Sequence, residues 1–163
     1  MELKPRIKWQ LETIRQFDEQ FLSALKTPAD WTHQLFPGAN HPLWILGHLS
    51  LVDNNVIAKF FPKKYIDKPG WAERFGRESK PSPNAADYPP PEEVAAFFLE
   101  RRATLIQCVD TMNEADFEQP VPEPKPPFIQ IAWQMFLFMT AHEALHMGQL
   151  SLVRRALGNA PIR

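Results

Sequence analysis

Apolar residues return every three or four positions in four long stretches of the chain, and the 17 prolines fall almost entirely between those stretches. Such spacing places the apolar side chains on one face of an α-helix. In the first stretch these positions are Ile7, Leu11, Ile14, Phe17, Phe21 and Leu25. The pattern predicts helices over residues 4–26, 42–61, 91–111 and 128–157, and it predicts no strand.

Residues suited to helix ends stand at the borders of these stretches. Pro28 stops the first helix, and Pro42 suits the first turn of the second, with Asn40 or His41 as its cap. Gly158 suits a left-handed cap at the end of the fourth helix. The four helices are therefore separated by linkers over 27–41, 62–90 and 112–127.

Four amphipathic helices bury their apolar stripes most simply as a four-helix bundle, so the sequence predicts an all-α fold in a single domain over 1–163. The long linkers allow a crossover connection, so that consecutive helices need not be antiparallel neighbours. Trp71 and Phe75 lie one turn apart in the middle linker, which predicts a short helical lid packed on the bundle.

Charge and cysteine content exclude several classes of function. The 18 basic and 19 acidic residues leave a formal charge of −1, which provides no field to attract nucleic acid or an anionic membrane. The longest apolar run, 131–141, is interrupted by Gln134 and is too short to span a bilayer, and no export signal begins the chain. The single cysteine, Cys108, fits a reducing compartment, so we expect a cytoplasmic protein without membrane or nucleic-acid partners.

Three histidines in the predicted helices are candidate metal ligands. His142 and His146 lie four residues apart on the apolar stripe of the fourth helix, a spacing that lets two imidazoles reach one ion. His48 follows Gly47 in an apolar run of the second helix, where an unsatisfied imidazole would be costly. Gly47 also permits another element to approach closely. We predict that the three histidines bind one divalent transition metal.

A packing role remains the alternative for each of these histidines, because a core histidine is usually hydrogen-bonded to a neighbour. Three buried imidazoles without a shared partner would, however, be hard to satisfy. His33 and His41 are left out of the predicted site, since one lies in the proline-rich first linker and the other at an exposed helix start.

The segment His142-Glu-Ala-Leu-His146 also matches the H-E-x-x-H pattern of zinc metalloproteases, in which the glutamate is the general base. Those proteases take a third ligand from downstream, but no Asp, Glu or His follows His146. A protease is therefore excluded. For Glu143 two roles stay open, a base acting on metal-bound water and a solvated or ion-paired residue.

These motifs resemble those of the DinB-like superfamily, which includes the YfiT-type proteins, and the resemblance covers nearly the whole chain. The segments that carry it are Trp44–Leu49, Trp71–Gly76, His142–Leu150 and Arg154–Gly158. The resemblance implies an up-down-down-up four-helix bundle, frequent homodimers, and a triad of His48, His142 and His146. That triad would hold zinc, nickel or another divalent ion such as iron, manganese or cobalt.

The characterised members are mainly transferases or isomerases that use a low-molecular-weight thiol. The leading hypothesis is accordingly a metal-dependent transferase that moves a small thiol onto an electrophile. Metal-assisted hydrolysis with Glu143 as base uses the same site, and a non-catalytic module with a structural metal is the third possibility. Arg154 and Arg155 are candidates to contact a substrate carboxylate, but a basic last turn that complements the helix dipole is the favoured explanation for them.

Overall fold

The computed structural model describes residues 2–162, apart from the side chain of Glu19. The α-helices are α1 (Leu3–Arg15), α2 (Asp18–Leu22), α3 (Pro28–Trp31), α4 (Pro42–Phe60), α5 (Trp71–Phe75), α6 (Pro91–Thr111) and α7 (Ala132–Ala156). Short 3₁₀ turns occupy Pro62–Lys64, Ala85–Asp87 and Glu114–Glu118. Between residues 2 and 162, extended pairing is limited to one isolated bridge. The predicted all-α class is confirmed.

No helix in the described range 2–162 combines the length and the apolar character that crossing a membrane requires.

The ends of three predicted helices agree with the structure to within a few residues. Pro42 and Pro91 begin α4 and α6 as predicted, and Gly158 has the positive φ of 80° expected after α7. Helix α7 begins at Ala132 rather than near 128, because the Gln134 side chain accepts the backbone N–H groups of the N-cap residue Ile131 at 3.3 Å and of Gln130 at 2.7 Å. That side chain caps the helix and fixes its first turn there.

The first predicted helix is broken, which corrects the expectation of one helix over 4–26. Helix α1 ends at Arg15, and α2 begins two residues after Gln16. Asp18 starts α2 and is buried, only 1% exposed, close enough to Arg102 for the two charges to interact. Aspartate is a weak helix former, and the break lets its carboxyl reach the interior. The periodicity of the apolar residues continues across the break and conceals it.

The four long helices enclose two apolar clusters. Helix α1 packs against α6 and α7, and α4 packs against α6, α7 and α5. One cluster joins residues of α1, α4, α6 and α7, and it includes Leu11, Ile57, Leu105, Phe117 and Phe136. The other cluster lies beneath α5 and includes Leu46, Trp71, Phe75, Phe98 and Leu150. The candidate ligands of α4 and α7 are thus held by two helices that pack on each other.

Gly47 explains how α5 approaches α4. A β-carbon at this position would overlap the ring of Phe75, which is fully buried. The sequence predicted close approach at Gly47, and the element that approaches is the short helix of the middle linker. The absence of a side chain at residue 47 therefore positions α5 against the neighbouring His48.

We expect Gly47→Ala to lower the free energy of unfolding by about 1–3 kcal/mol, because overpacking outweighs the gain in helix propensity. Gly148→Ala is the matched control, since a β-carbon there meets no atom within 4 Å. That variant should be about 0.5–1 kcal/mol more stable than the wild type. Urea denaturation measures both changes. Equal stabilisation by the two substitutions would contradict the close packing of Phe75 on Gly47.

Candidate metal centre

The structure brings three imidazoles together at one end of the contact between α4 and α7. One ring nitrogen from each of His48, His142 and His146 lies within 4.8 Å of the others. The Nε2 atoms of His48 and His142 are 3.3 Å apart. Both helices contribute, since the two histidines of α7 are one turn apart and His48 faces them from α4. The predicted cluster thus exists in the fold.

Backbone and side-chain acceptors fix the orientation of two of the rings. The Nδ1 of His48 lies 2.7 Å from the carbonyl oxygen of Phe75, at the end of α5. The Nδ1 of His146 lies 3.1 Å from Oε1 of Gln149, which also accepts the Asn40 amide at 3.2 Å. Because these oxygens only accept, each Nδ1 carries the proton. Each Nε2 therefore keeps its lone pair for another partner.

His142 lacks a comparable partner. Its Nδ1 is buried and makes no hydrogen bond to any described residue. Its Nε2 faces the Nε2 of His48, whose lone pair is directed into the cluster. Unsatisfied nitrogens in a buried site are unfavourable, and a cation shared by the three rings would satisfy them. The donor set therefore fits a divalent transition metal.

Burial keeps these histidines neutral. Desolvation lowers the pKa of His142 to about 4, with a further contribution from the positive charges that His146 and His48 would carry. The pKa of His146 also falls to about 4, mainly through burial and then through His48. Burial likewise lowers the pKa of His48. At neutral pH all three rings are therefore in the uncharged form that binds metal ions.

A cavity of about 770 Å³ opens directly beside the cluster. Its walls are formed by Trp44, His48, Val52, Arg77, residues 124–128, Phe138, His142 and His146. Trp44 stacks on His48 at a ring distance of 4.8 Å, and Phe138 stacks on His142 at 5.7 Å. Three protein ligands next to an open cavity leave room for an exogenous ligand, which is typical of catalytic rather than structural metal sites.

Glu143 lies elsewhere, in a buried group of charges behind the cluster. Its Oε2 is 2.7 Å from Nη2 of Arg102, whose Nε is 3.0 Å from the Asp53 carboxylate. All three side chains are completely buried. Burial raises the pKa of Glu143, and it raises the pKa values of Asp53 to about 6 and of Asp18 to about 7, while Arg102 opposes each shift. One guanidinium therefore holds several carboxyl groups in the interior.

Of the two roles that the sequence left open for Glu143, the structure shows the ion pair. The side chain does not contribute to the cavity wall or to the cluster of ring nitrogens. Its carboxylate points toward Arg102 because Glu143 follows His142 and is rotated away from it on α7. Catalysis by Glu143 stays a prediction.

His41 corrects one expectation from the sequence. The histidine at the predicted exposed start of α4 is completely buried. Its Nδ1 accepts the backbone N–H of Trp44 at 3.2 Å, and its Nε2 lies 2.9 Å from the carbonyl oxygen of Ser82. The side chain is buried because the loop containing Ser82 covers this end of the helix. His41 lies outside the cluster formed by His48, His142 and His146.

Sequence reasoning missed Arg77, which lines the cavity. The sequence pointed to Arg154 and Arg155 instead, but Arg154 donates to the carbonyl oxygens of Ala160 at 2.8 Å and Gln20 at 2.9 Å. Arg154 thus ties the end of α7 to α2 and to the segment that follows α7. The one signal in the sequence was that Arg77 directly follows the Trp71–Gly76 segment.

The model of the DinB superfamily matches residues 10–150, and the chain belongs to that superfamily. No curated protein matches the chain in sequence.

Proposed function

We propose that this member of the DinB superfamily is a metal-dependent transferase that moves a low-molecular-weight thiol onto a small electrophile. The observation that carries the proposal is the convergence of three neutral imidazoles on the wall of an open cavity of about 770 Å³. His48, His142 and His146 would be the ligands. Zinc or nickel suits this set best, and iron, manganese or cobalt are also accepted by imidazole ligands.

A divalent ion held by these rings would lower the pKa of an incoming thiol, so that the thiolate is present at neutral pH. The chain supplies orientation around that position. The Phe75 carbonyl and Gln149 fix the proton on Nδ1 of His48 and His146, which aims each Nε2 inward. Trp44 and Phe138 hold two of the rings by stacking, and both side chains line the same cavity as the histidines.

Conjugation of cellular thiols to a model electrophile tests this function. With monochlorobimane, the sulfur–carbon bond forms as the carbon–chlorine bond breaks, and chloride and the thiol proton are released. We expect the metal-loaded protein to accelerate the reaction with at least one of glutathione, cysteine and coenzyme A. The metal-free protein and the His142→Ala variant should give only the background rate. A wild-type rate equal to theirs with every thiol would contradict the proposal.

We expect Glu143→Gln to keep both the metal and the transferase rate, because the side chain belongs to the ion pair with Arg102. The substitution keeps the shape of the side chain and a hydrogen-bond acceptor for Arg102. Metal content and initial rate should be measured well below the unfolding temperature. Loss of turnover with the metal still bound would show that Glu143 acts in the reaction, which is the role that the hydrolase alternative gives it as a base.

We expect Gln149→Leu to weaken metal binding by about 10–100-fold, because His146 then loses the acceptor that fixes its Nδ1 proton. Gln149→Glu is the matched control, since a carboxylate still accepts that proton. Competition with a chromophoric chelator measures both affinities. Equal metal affinity in the wild type and the leucine variant would show that Gln149 does not orient the ligand.

We further propose that α1, α4, α6 and α7 form a single-domain, up-down-down-up bundle over 1–163, with α5 as its lid. The helix contacts support this arrangement, because α1 and α4 each pack against both α6 and α7. The long connection between α4 and α6 provides the crossover that parallel neighbours need. For α5, the hydrogen bond that His48 Nδ1–H donates to the Phe75 carbonyl oxygen supports a position at the edge of the site.

A homodimer is proposed from the exposed apolar face of α7. Leu137, Leu145 and Leu152 are 43%, 65% and 59% exposed. Two copies of such a face can bury it against each other. Sedimentation equilibrium tests this, and a monomer at all concentrations would contradict it.

A further inference from the structure

Arg77 brings an unpaired positive charge to the cavity. It follows α5 and lines the same cavity as the three histidines. Its side chain is exposed, and within the described part of the chain, which leaves out the Glu19 side chain, its guanidinium takes part in no hydrogen bond or ion pair. Arg74, in α5 itself, differs in this respect, because it donates to the carbonyl oxygens of Gly70 at 2.9 Å and Asp87 at 3.2 Å. The hydrogen-bonding capacity of Arg77 is therefore available to a ligand.

The rest of the wall determines what kind of ligand fits. Lys125 is the other cation, but its Nζ already donates to Gln130 at 3.1 Å and lies 3.5 Å from the Glu123 carboxylate. Among the described residues, no Asp or Glu lines the cavity. The remaining walls are mainly apolar, with Trp44, Val52, Phe128, Phe138 and three prolines. The cavity thus suits a molecule with one anionic group and an apolar body.

We propose that the thiol substrate carries a carboxylate, which Arg77 binds while the sulfur faces the three histidines. This inference rests on the proposed transferase function and names the chemical class of its thiol. Arginine matches a carboxylate because its planar fork donates two parallel N–H bonds to the two oxygens. A single free guanidinium suits a singly charged carboxylate better than a doubly charged phosphate, since Lys125 already has partners.

The test compares straight-chain ω-mercaptocarboxylates, from mercaptoacetate to mercaptohexanoate, with their amides on the metal-loaded full chain. Both members of each pair offer the same thiol, so the difference in Kd reports on the carboxylate. We expect calorimetry to show, for at least one chain length, that the acid binds about tenfold or more tightly than the amide. Arg77→Met should abolish this preference, and Arg77→Lys should retain part of it.

Arg155→Met is the control, because it removes one exposed positive charge outside the cavity. It should leave the preference for the acid unchanged. Equal binding of acid and amide at every chain length would overturn the inference while leaving the transferase function intact. A preference that survives in Arg77→Met would also overturn it, because the carboxylate would then be chelating the metal.

A failure of the proposed transferase function can be told apart from a failure of the inference about Arg77. If no thiol binds in either form, the transferase proposal fails, and the site at Arg77 is judged by phenylpropionate against phenylpropionamide on the same proteins. A preference for phenylpropionate that Arg77→Met removes would keep a carboxylate site in the cavity. Equal binding of the two compounds, or no binding, would overturn both proposals.

Discussion

Replacing Arg102 with methionine is expected to lower the free energy of unfolding by about 3–5 kcal/mol, because it breaks a buried ion pair by removing one partner. Arg102 contacts both Asp53 and Glu143, and none of the three side chains has exposed surface. Without the guanidinium Glu143 loses its ion-pair partner, and Asp53 keeps only the interaction with the buried Arg101. Denaturation by urea near neutral pH measures the loss.

The loss should depend on pH in a defined direction. Burial already raises the pKa values of Asp53 to about 6 and of Asp18 to about 7, and Arg102 lowers both. Removing Arg102 raises these pKa values further, so the folded variant binds protons that the unfolded chain releases. The difference in stability between the wild type and the variant should therefore grow from about pH 5 to about pH 8.

Arg77→Met is the control for the loss of an exposed arginine, and it should change stability by no more than about 0.5 kcal/mol. Neutralising the partners in the triple variant Arg102→Met, Asp53→Asn, Glu143→Gln should recover part of the lost stability, because fewer charges are left unpaired. If Arg102→Met were as stable as Arg77→Met, the buried charges would not stabilise the fold.

His142→Ala is expected to weaken metal binding by more than about a hundredfold, which exceeds the effect of losing an outer partner such as Gln149. The fold should remain, because His142 is only partly buried and its Nδ1 has no partner among the described residues. Competition with a chromophoric chelator gives the affinity, and circular dichroism checks the helices. His33→Ala, outside the cluster, should retain wild-type affinity. Equal affinities in the two variants would remove His142 from the site.

Local sequence patterns predicted most of the helices. Proline at the start of α4 and α6 and glycine after α7 act through backbone geometry, which the neighbouring residues alone determine. The break before Asp18 could not be predicted in this way. It depends on the burial of that carboxyl near Arg102, which lies far away in the sequence. Tertiary contacts of this kind override helical periodicity.

The residues of the candidate site also differ in whether local sequence alone could predict them. His142 and His146 share a helix face through their spacing, and His48 is unusual for its apolar neighbours, so local sequence pointed to all three. Local sequence did not indicate that Arg77 lines the cavity or that Arg102 is the partner of Glu143. Arg77 reaches the cavity only because α5 packs on Gly47, and Glu143 meets Arg102 only when α6 and α7 come together. Contacts of this kind, between distant parts of the sequence, can be identified only in the folded structure.

Elemental analysis of the purified protein, beside a variant with His48, His142 and His146 all replaced by alanine, tests the central claim most directly. We predict about one equivalent of a divalent transition metal in the wild type, as expected for a three-histidine site, and none in the variant. Both proteins should have the same helix content. Wild-type protein that contains no metal and also fails to bind added zinc or nickel would contradict the metal centre and the transferase function built on it.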